Sequence, residues 1–370
     1  MRKTAKFVAL LSYATNSKMQ FSQKLMQLEE SATLAIAKQV RLLKAQGKDI
    51  VSLTLGEPDF DTPAHIRDAA KQALDDGFTH YPPVDGLPEL RAAIVEKFHR
   101  DNAIPYTIDN VMVSTGAKQS LYNAIFALIN PGDEVVIPAP YWVSYSSMVE
   151  LADGVVRLVQ TELEHNFKIT PEQLEAAITP RTKIFMFTSP SNPTGSMYTR
   201  AEITALVHVL EKYPQIYIIA DEIYEHISYG QEHISIASFP SMFDRTITVN
   251  GFAKAYAMTG WRLGYMGAPK EIKMLCEKMQ GQCTSGTNSF AMKGAVAALN
   301  GDQACVKAMT ETFRRRRDLM YALLSAIDGL KVNLPDGAFY FYPQDPALEL
   351  TKPASIMNGP KDGRKLHKAA

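Results

Sequence analysis

Cysteine is scarce in this chain of 370 residues, which contains only Cys276, Cys283 and Cys305. Their number is odd, no Cys-x-x-Cys pair occurs, and no histidine stands at metal-ligand spacing from them. This pattern argues against a disulfide framework and against a cysteine-based metal site. We therefore expect a reducing, cytoplasmic compartment and no bound metal.

An excess of charge of either sign is also lacking, because 39 Lys and Arg residues balance 39 Asp and Glu residues. Without a net positive field, nucleic-acid binding loses its usual electrostatic support. No stretch approaches the roughly 18 uninterrupted apolar residues of a membrane span. No G-x-G-x-x-G follows a predicted strand, which disfavours a nicotinamide dehydrogenase. The apolar fraction of 46% is typical of a globular protein, and the length favours about two domains.

The two ends of the chain differ from its middle. Residues 1–18 carry four basic and no acidic side chains, and their apolar stretch is too short for a signal peptide. We interpret them as an extension before a start at Met19, with an organelle-targeting segment as the alternative. Residues 351–370 show no apolar period and are predicted to form an irregular tail.

Between these ends, short apolar runs alternate with amphipathic segments. The predicted helices cover 25–46, 62–76, 88–100, 117–129, 171–178 and 200–212, with mostly helical sequence over 269–328. The predicted strands cover 49–55, 111–114, 134–137 (stopped by Pro138), 155–159, 183–188, 216–220, 246–249 and 263–266. Strands that are apolar on both faces and interleaved with helices indicate an α/β fold with one mostly parallel sheet.

One run inside the last helical region is strongly basic, Arg314 to Arg317. Successive helix positions are about 100° apart, so four consecutive arginines cannot form one basic face. We expect them to lie on a solvated helix surface.

Chemically useful residues follow the predicted strands. In an open parallel sheet, ligands bind beyond the carboxyl ends of the strands. The runs at those ends are Thr115–Lys118, Ala139–Trp142, Ser189–Gly195, Asp221–Tyr224, Asn250–Lys254 and Gly260–Arg262. Each residue alone has a structural interpretation: Asp221 as a helix cap, Lys254 as a solvated lysine, Arg262 as half of a surface ion pair. Two of the six runs, Asn250–Lys254 and Gly260–Arg262, follow the same strand. The convergence of all six at five strand ends is what indicates a site.

Pyridoxal phosphate is a cofactor that would use all of these groups. Its chemistry needs a lysine for a Schiff base and an acid near the ring nitrogen, for which Lys254 and Asp221 are the candidates. Its phosphate needs a cationic cradle and its ring a flat partner. The candidates for these roles are the helix-start residues Gly116, Ala117 and Lys118, the Arg262 guanidinium and the Trp142 indole.

Three segments resemble a known family. GFAKAYAMTGWRLG (251–264), SPSNPTG (189–195) and ADEIYEH (220–226) are similar to the signatures of class I pyridoxal-phosphate aminotransferases, in the bacterial-type branch of the aspartate aminotransferase family. The resemblance covers roughly residues 25–342. It implies the fold type I architecture, with a large cofactor-binding domain over 66–305. A smaller α+β domain would combine 19–65 with 306–350 and be incomplete at its C-terminal end.

The resemblance also implies roles for individual residues. Lys254 would carry the cofactor, Asp221 would contact its ring nitrogen, and Arg262 with the amides of Ala117 and Lys118 would hold the phosphate. Tyr224 and Asn192 would hydrogen-bond the phenolic oxygen of the cofactor. Tyr81 would reach the phosphate of a neighbouring subunit, so the resemblance implies a homodimer with shared active sites. Gly251 and Ala253 stand where some relatives carry serine, so some hydroxyl contacts to the phosphate would be absent.

The substrate is expected to be a dicarboxylic amino acid. Gly56, Trp142 and Asn192 resemble substrate-contacting residues of the family, and Lys118 resembles a lysine that meets the distal carboxylate. Ser31 and Thr33 lie in the segment that would cover that carboxylate. Aspartate and 2-oxoglutarate would then react in a ping-pong sequence, with Lys254 as general base and then acid. Alternatively, Lys118 only adds positive charge near the phosphate.

One family feature is missing. Members carry a late arginine that clamps the substrate α-carboxylate, whereas the only arginine after Arg317 is Arg364, in a segment without strand character. We therefore expect this chain to bind cofactor better than it turns over substrate, and equal kcat/KM values for this chain and one with a restored family C-terminus would contradict that. The alternatives are an aromatic or prephenate aminotransferase, a carbon–sulfur lyase, or a cofactor-binding protein with impaired turnover.

Overall fold

The computed structural model of the chain describes residues 21–28, 30, 32–53 and 55–344, without the side chains of Ala32 and Thr33. The extension over 1–18, Ser31 and the tail over 351–370 with Arg364 lie outside the described residues, as does the side chain of Thr33. Within the described part, no helix has both the length and the hydrophobicity needed to cross a membrane.

A seven-stranded sheet forms the centre of the molecule. Its strands are β1 (Val111–Ser114), β2 (Glu134–Ala139), β3 (Val155–Gln160), β4 (Thr182–Thr188), β5 (Tyr217–Asp221), β6 (Thr246–Gly251) and β7 (Gly264–Gly267). They are ordered β1-β7-β6-β5-β4-β2-β3, and only β7 runs against its neighbours. This confirms the predicted α/β fold with a mostly parallel sheet.

Twelve α-helices accompany the sheet in the described residues. They are α1 (Gln23–Gln27), α2 (Ala32–Ala45), α3 (Ala64–Asp75), α4 (Pro88–Asn102), α5 (Ala117–Leu128), α6 (Ser144–Leu151), α7 (Pro171–Ala177), α8 (Arg200–Leu210), α9 (Pro240–Phe243), α10 (Lys270–Cys283), α11 (Ser289–Asn300) and α12 (Ala304–Ser325). The division into a large and a small domain remains a prediction.

Both faces of the sheet are buried at all strands except the edge strand β3, which explains the continuous apolar strands. In β4, Ile184 and Met186 pack with α5, α6 and α10 on one face, whereas Phe185 and Phe187 pack with α7 and α8 on the other. At the β1 edge, Val111 packs with α4 and α11. Successive residues of a strand point to opposite faces, so a strand covered on both sides needs apolar residues at every position.

Two predictions near the strands are wrong. Pro138 does not stop β2, which continues to Ala139 through its pairing with β3. The pairing with β4 on the other side has already ended at Val136, so Pro138 needs no N–H donor there. A proline, which lacks an N–H, is tolerated where a ladder is open on one side. The described residues of 49–55 form no strand, and Val51 and Leu53 are 85% and 87% exposed. No neighbouring strand pairs with them in the described part of the chain.

The N-terminal helix prediction is correct in type but not in extent. The expected helix over 25–46 is divided into α1 and α2, and Gly47 follows α2 with a left-handed φ of 79°. In that conformation its N–H bonds the Lys44 carbonyl at 2.9 Å. A glycine is favoured at such a helix end because it lacks a Cβ.

The arginine run on α12 is only partly solvated. Arg314 pairs with Glu311 at 2.7 Å on the exposed surface, as expected. Arg316, however, pairs with Asp59 at 2.7 Å. Arg317 keeps only 13% of its side chain exposed and donates to the Pro335 carbonyl at 3.0 Å. The expectation of a solvated run is therefore confirmed for Arg314 and Arg316, whose side chains stay exposed, and wrong for Arg317, which packs against another segment.

Candidate active site

The carboxyl end of β5 places an acid in the interior. Asp221 is the last residue of β5 and is 4% exposed. The Tyr145 hydroxyl on α6 donates to its Oδ2 at 2.7 Å, and the Ile223 N–H donates to its Oδ1 at 3.3 Å. Burial raises the pKa of Asp221 to about 6, although both hydrogen bonds oppose that shift. Asp221 is therefore a buried carboxyl that ionises only slightly below neutral pH.

The segment after β6 places a half-buried amine at the same edge of the sheet. The Lys254 ammonium donates to the Gly56 carbonyl and lies 5.7 Å from the centres of the Tyr224 and Phe339 rings. Burial lowers the pKa of Lys254 to about 8, and the charges of Glu57 and, less strongly, Asp221 partly offset this shift. An amine with such a pKa is unprotonated often enough near neutral pH to act as a nucleophile or base.

Two phenols meet near the Lys254 amine. The hydroxyls of Tyr224 and Tyr340 share a hydrogen bond of 2.6 Å. Burial raises the pKa of Tyr224 well above its usual range, with the Tyr340 phenol as the next cause. A Cβ at position 56 would overlap the Tyr340 hydroxyl, so the close approach of these segments requires Gly56.

The segment that carries Tyr340 is tied to the loop after β4. In this segment (residues 335–342), the N–H groups of Asp336 and Gly337 both donate to the Gly195 carbonyl at 2.9 Å. Asn192 lies half-buried in the same loop after β4, at the carboxyl edge of the sheet. The structure thus places Asn192 on the rim, but its side chain is not seen to hydrogen-bond any residue that the structure describes, so its role stays a prediction.

The N-terminus of α5 forms a cationic cradle. Gly116 precedes the helix with φ of 85°, and the first N–H groups, those of Ala117 and Lys118, have no acceptor inside the helix. The Arg262 guanidinium lies over Gly116, where a Cβ would meet its Nη2. Arg262 makes no ion pair with any residue that the structure describes, so it is available to an anion.

Backbone geometry holds this cradle in place. Arg262 has a left-handed φ of 55°, a conformation that non-glycine residues rarely adopt. Its Nη1 donates to the Thr259 carbonyl at 2.9 Å. A Cβ at Gly264 would overlap the Ala117 backbone, so β7 can approach α5 only because Gly264 is a glycine.

Lys118 and Trp142 lie together beside the cradle. The Lys118 amine is 4.7 Å from the centre of the Trp142 ring, and that ring meets Tyr145 edge to face at 5.5 Å. Partial burial and the charge of Arg262 lower the pKa of Lys118. Lys118, at the start of α5, and Trp142, which follows β2, therefore lie in contact as expected.

Tyr81 is not brought to the other residues within one chain. It is 97% exposed, so it makes almost no contact with its own subunit. Its expected contact with a neighbouring subunit stays a prediction.

Four side chains at this site were not predicted from the sequence, namely Tyr145, Phe339, Tyr340 and Glu57. The Glu57 carboxylate accepts a hydrogen bond from the Thr259 hydroxyl. Tyr145 follows Trp142 by three residues, and its N–H bonds the Trp142 carbonyl at 3.0 Å, so closeness in sequence to Trp142 was a usable signal. Phe339 and Tyr340 lie in the aromatic run GAFYFY, but they follow no predicted strand.

The donor set fits the cofactor that the sequence suggests. Pyridoxal phosphate requires a reactive amine, an acid, phenol or amide donors and an anion site. The charges of Lys254 and Asp221 each shift the pKa of the other group. Arg262, which has no ion-pair partner among the described residues, and the α5 N-terminus supply a positive potential. Gly116 has no side chain that would fill the space between them.

Comparisons with known proteins agree with this chemistry. Residues 48–354 match the sequence profile of the family described as aminotransferase class I and II. The chain is 50% identical over 324 residues to an aspartate/prephenate aminotransferase of Cereibacter sphaeroides, covering 87% of this chain and 81% of that protein. It is 47% identical over 314 residues to an aspartate aminotransferase of Rhizobium meliloti, covering 84% and 77%.

Solved structures show the same likeness. The crystal structure of the aspartate aminotransferase from Rhizobium meliloti superposes with a TM-score of 0.85 at 45% identity, covering 88% of this chain and 82% of that one. The aspartate aminotransferase from Thermus thermophilus with maleate gives a TM-score of 0.85 at 43% identity, covering 88% and 85%.

Proposed function

This chain belongs to the class I and II aminotransferase family, and we propose that it transfers the amino group of L-aspartate to 2-oxoglutarate, giving oxaloacetate and L-glutamate. As a member of the aspartate aminotransferase family it is an aminotransferase that uses pyridoxal 5'-phosphate. The observation that carries the proposal is the half-buried Lys254 amine and the buried Asp221 carboxyl, which lie at the edge of the sheet where ligands of this architecture bind and whose charges shift each other's pKa.

The cofactor, when bound, supplies an aldehyde for amines and a ring that accepts electrons from the substrate α-carbon. Arg262 and the N–H groups of Ala117 and Lys118 would hold its phosphate, because they form the cationic cradle. Tyr224 and Asn192 would bond the phenolic oxygen, and Trp142 would cover the ring face. Asp221, ionised above a pH of about 6, would keep a proton on the ring nitrogen.

Lys254 moves the proton in this proposal. Its pKa of about 8 leaves part of the amine unprotonated at neutral pH, so it can take the proton from the substrate α-carbon. The ammonium that results is the acid for the return step. The Gly56 carbonyl, which accepts from this amine, orients it.

The choice of a dicarboxylic substrate rests on Lys118. Its amine and the Trp142 ring lie beside the cradle, where a distal carboxylate would find a positive charge. Relatives at 50% and 48% identity are named aspartate/prephenate aminotransferases, which favours prephenate as a second acceptor. Prephenate and 2-oxoglutarate both carry a 2-oxo acid and a further carboxylate, so one site can take both.

A homodimer with shared active sites is part of the proposal. Tyr81 is almost fully exposed in one chain, as expected of a residue that would serve the site of a second copy. A reducing, cytoplasmic location is also proposed, and it is supported by the three free cysteines.

A panel of amino donors tests the substrate assignment. We expect aspartate and glutamate to be used with 2-oxoglutarate, oxaloacetate or prephenate as acceptors, and aromatic donors to be used poorly. Product that forms without any added 2-oxo acid would indicate a lyase and contradict the proposal. A cofactor band in the absorbance spectrum without any transfer would indicate a binding protein and contradict it as well.

A further inference from the structure

We propose that Tyr145 is a positioning residue for the reaction, and that its phenol holds Asp221 ionised and oriented at the end of β5. The inference rests on the proposed function, since it concerns the acid of the same site. The Tyr145 hydroxyl donates to Asp221 Oδ2 at 2.7 Å, and the phenol is 1% exposed. Among the described residues, no other side chain is seen to donate a hydrogen bond to this carboxyl.

The electrostatic surroundings of Asp221 make this bond important. The adjacent Glu222, which is 2% exposed, raises the pKa of Asp221, whereas Lys254 lowers it. The phenols of Tyr224 and Tyr340 also face the carboxylate, and its charge raises the pKa of both. Burial and Glu222 together favour the protonated acid, so the hydrogen bond of Tyr145 works against them.

Tyr145 is itself held by the surrounding structure. Its ring meets Trp142 edge to face at 5.5 Å and lies nearly parallel to Tyr141 at 6.5 Å. The Thr188 hydroxyl contacts the phenol oxygen, and Thr188 pairs with Asp221 in the β4–β5 register. Burial raises the pKa of Tyr145 well above its usual range, so the phenol keeps the proton that it donates. The bond therefore connects α6 to the ends of two central strands.

The test compares Tyr145→Phe with Tyr106→Phe in the cofactor-loaded protein. Tyr106 is a matched control, because it is a fully buried phenol whose hydroxyl bonds Thr248 and the Gly267 carbonyl, each at 3.2 Å, outside the site. Two readouts are followed against pH: kcat, and the absorbance of the bound cofactor.

We expect Tyr145→Phe to shift the acidic limb of kcat and the midpoint of the absorbance titration upward by about one pH unit or more, because a hydrogen bond to a charge is lost. Tyr106→Phe is expected to leave both midpoints unchanged. Tyr145→His retains an N–H donor and should return both midpoints toward those of the unmodified protein.

Unchanged midpoints in Tyr145→Phe, or equal shifts in the Phe and His variants, would overturn the inference. The absorbance titration keeps it separate from the proposed function. A protein that binds cofactor without transferring amino groups would contradict the proposed function, while the shift of the cofactor band would still report on Tyr145.

Discussion

At the scale of single residues, the site keeps two ionisable groups where they cost folding free energy. Burial raises the pKa of Asp221 to about 6 and lowers that of Lys254 to about 8, so each resists its charged form. Proteins keep such groups where chemistry requires them. Both residues could be predicted from the sequence because each follows a strand. Tyr145 and Tyr340 were not predicted as site residues, because Tyr145 lies on a helix and Tyr340 lies in a loop that is distant in sequence.

The substitution Asp221→Asn separates the effect of this carboxyl on the free energy of unfolding from its effect on transamination. The unfolded chain releases this proton near pH 3.8 and the folded chain near pH 6, so the free energy of unfolding falls as pH rises through that interval. Removing the charge should stabilise the cofactor-free chain at pH 7 by on the order of 2 kcal/mol, while transamination is nearly lost.

Urea unfolding of both chains at pH 7 and at pH 4 measures this effect. The difference between the two chains should be large at pH 7 and small at pH 4, where the native carboxyl is protonated. An equal difference at both values would show that the charge of Asp221 is not the cause.

At the scale of elements, the apolar pattern and the positions of glycine and proline were enough to predict most helices and strands. The central strands are apolar on both faces, and this signal is local. The segment 49–55 has the same composition, but a strand also needs a neighbour, which the sequence of the segment does not contain. The contacts of Arg316 and Arg317 were equally invisible, because they depend on where Asp59 and Pro335 lie in space.

The approach of β7 to α5 gives a prediction at this scale. The substitution Gly264→Ala places a methyl group against the Ala117 backbone, which must move. Overpacking of this kind costs about 1–3 kcal/mol, so cofactor affinity should fall by about fivefold to 150-fold when the cradle bears that cost. Gly260→Ala is the control, because a Cβ there meets no atom within 4 Å. Equal dissociation constants for the two variants, from cofactor absorbance titrations, would refute the link between this packing and the cradle.

At the scale of the whole molecule, the resemblance seen over residues 25–342 agrees with the family match over 48–354. Three signature segments brought together by the sheet were sufficient for that assignment. The assembly could not be inferred from residue pattern alone, because Tyr81 has its proposed function only against a second copy of the chain.

Mixing two inactive variants tests the proposed dimer. Tyr81→Ala removes the residue that would be shared, and Lys254→Ala removes the amine. In a mixed dimer one site would combine the intact Lys254 of one subunit with the intact Tyr81 of the other, so random mixing should restore about a quarter of the sites. Activity is measured after the subunits have exchanged, with each variant alone as the control. Failure to recover activity in a mixture proven to contain mixed dimers would argue against shared sites.

The most direct measurement is chemical fixation of the cofactor. The chain is loaded with pyridoxal 5'-phosphate, treated with borohydride, digested and analysed by mass spectrometry, with Lys254→Ala as the control. We expect one stoichiometric label, on the peptide that contains Lys254, and its loss in the variant. A label on Lys118, or one spread over surface lysines while Lys254 stays unmodified, would contradict the account.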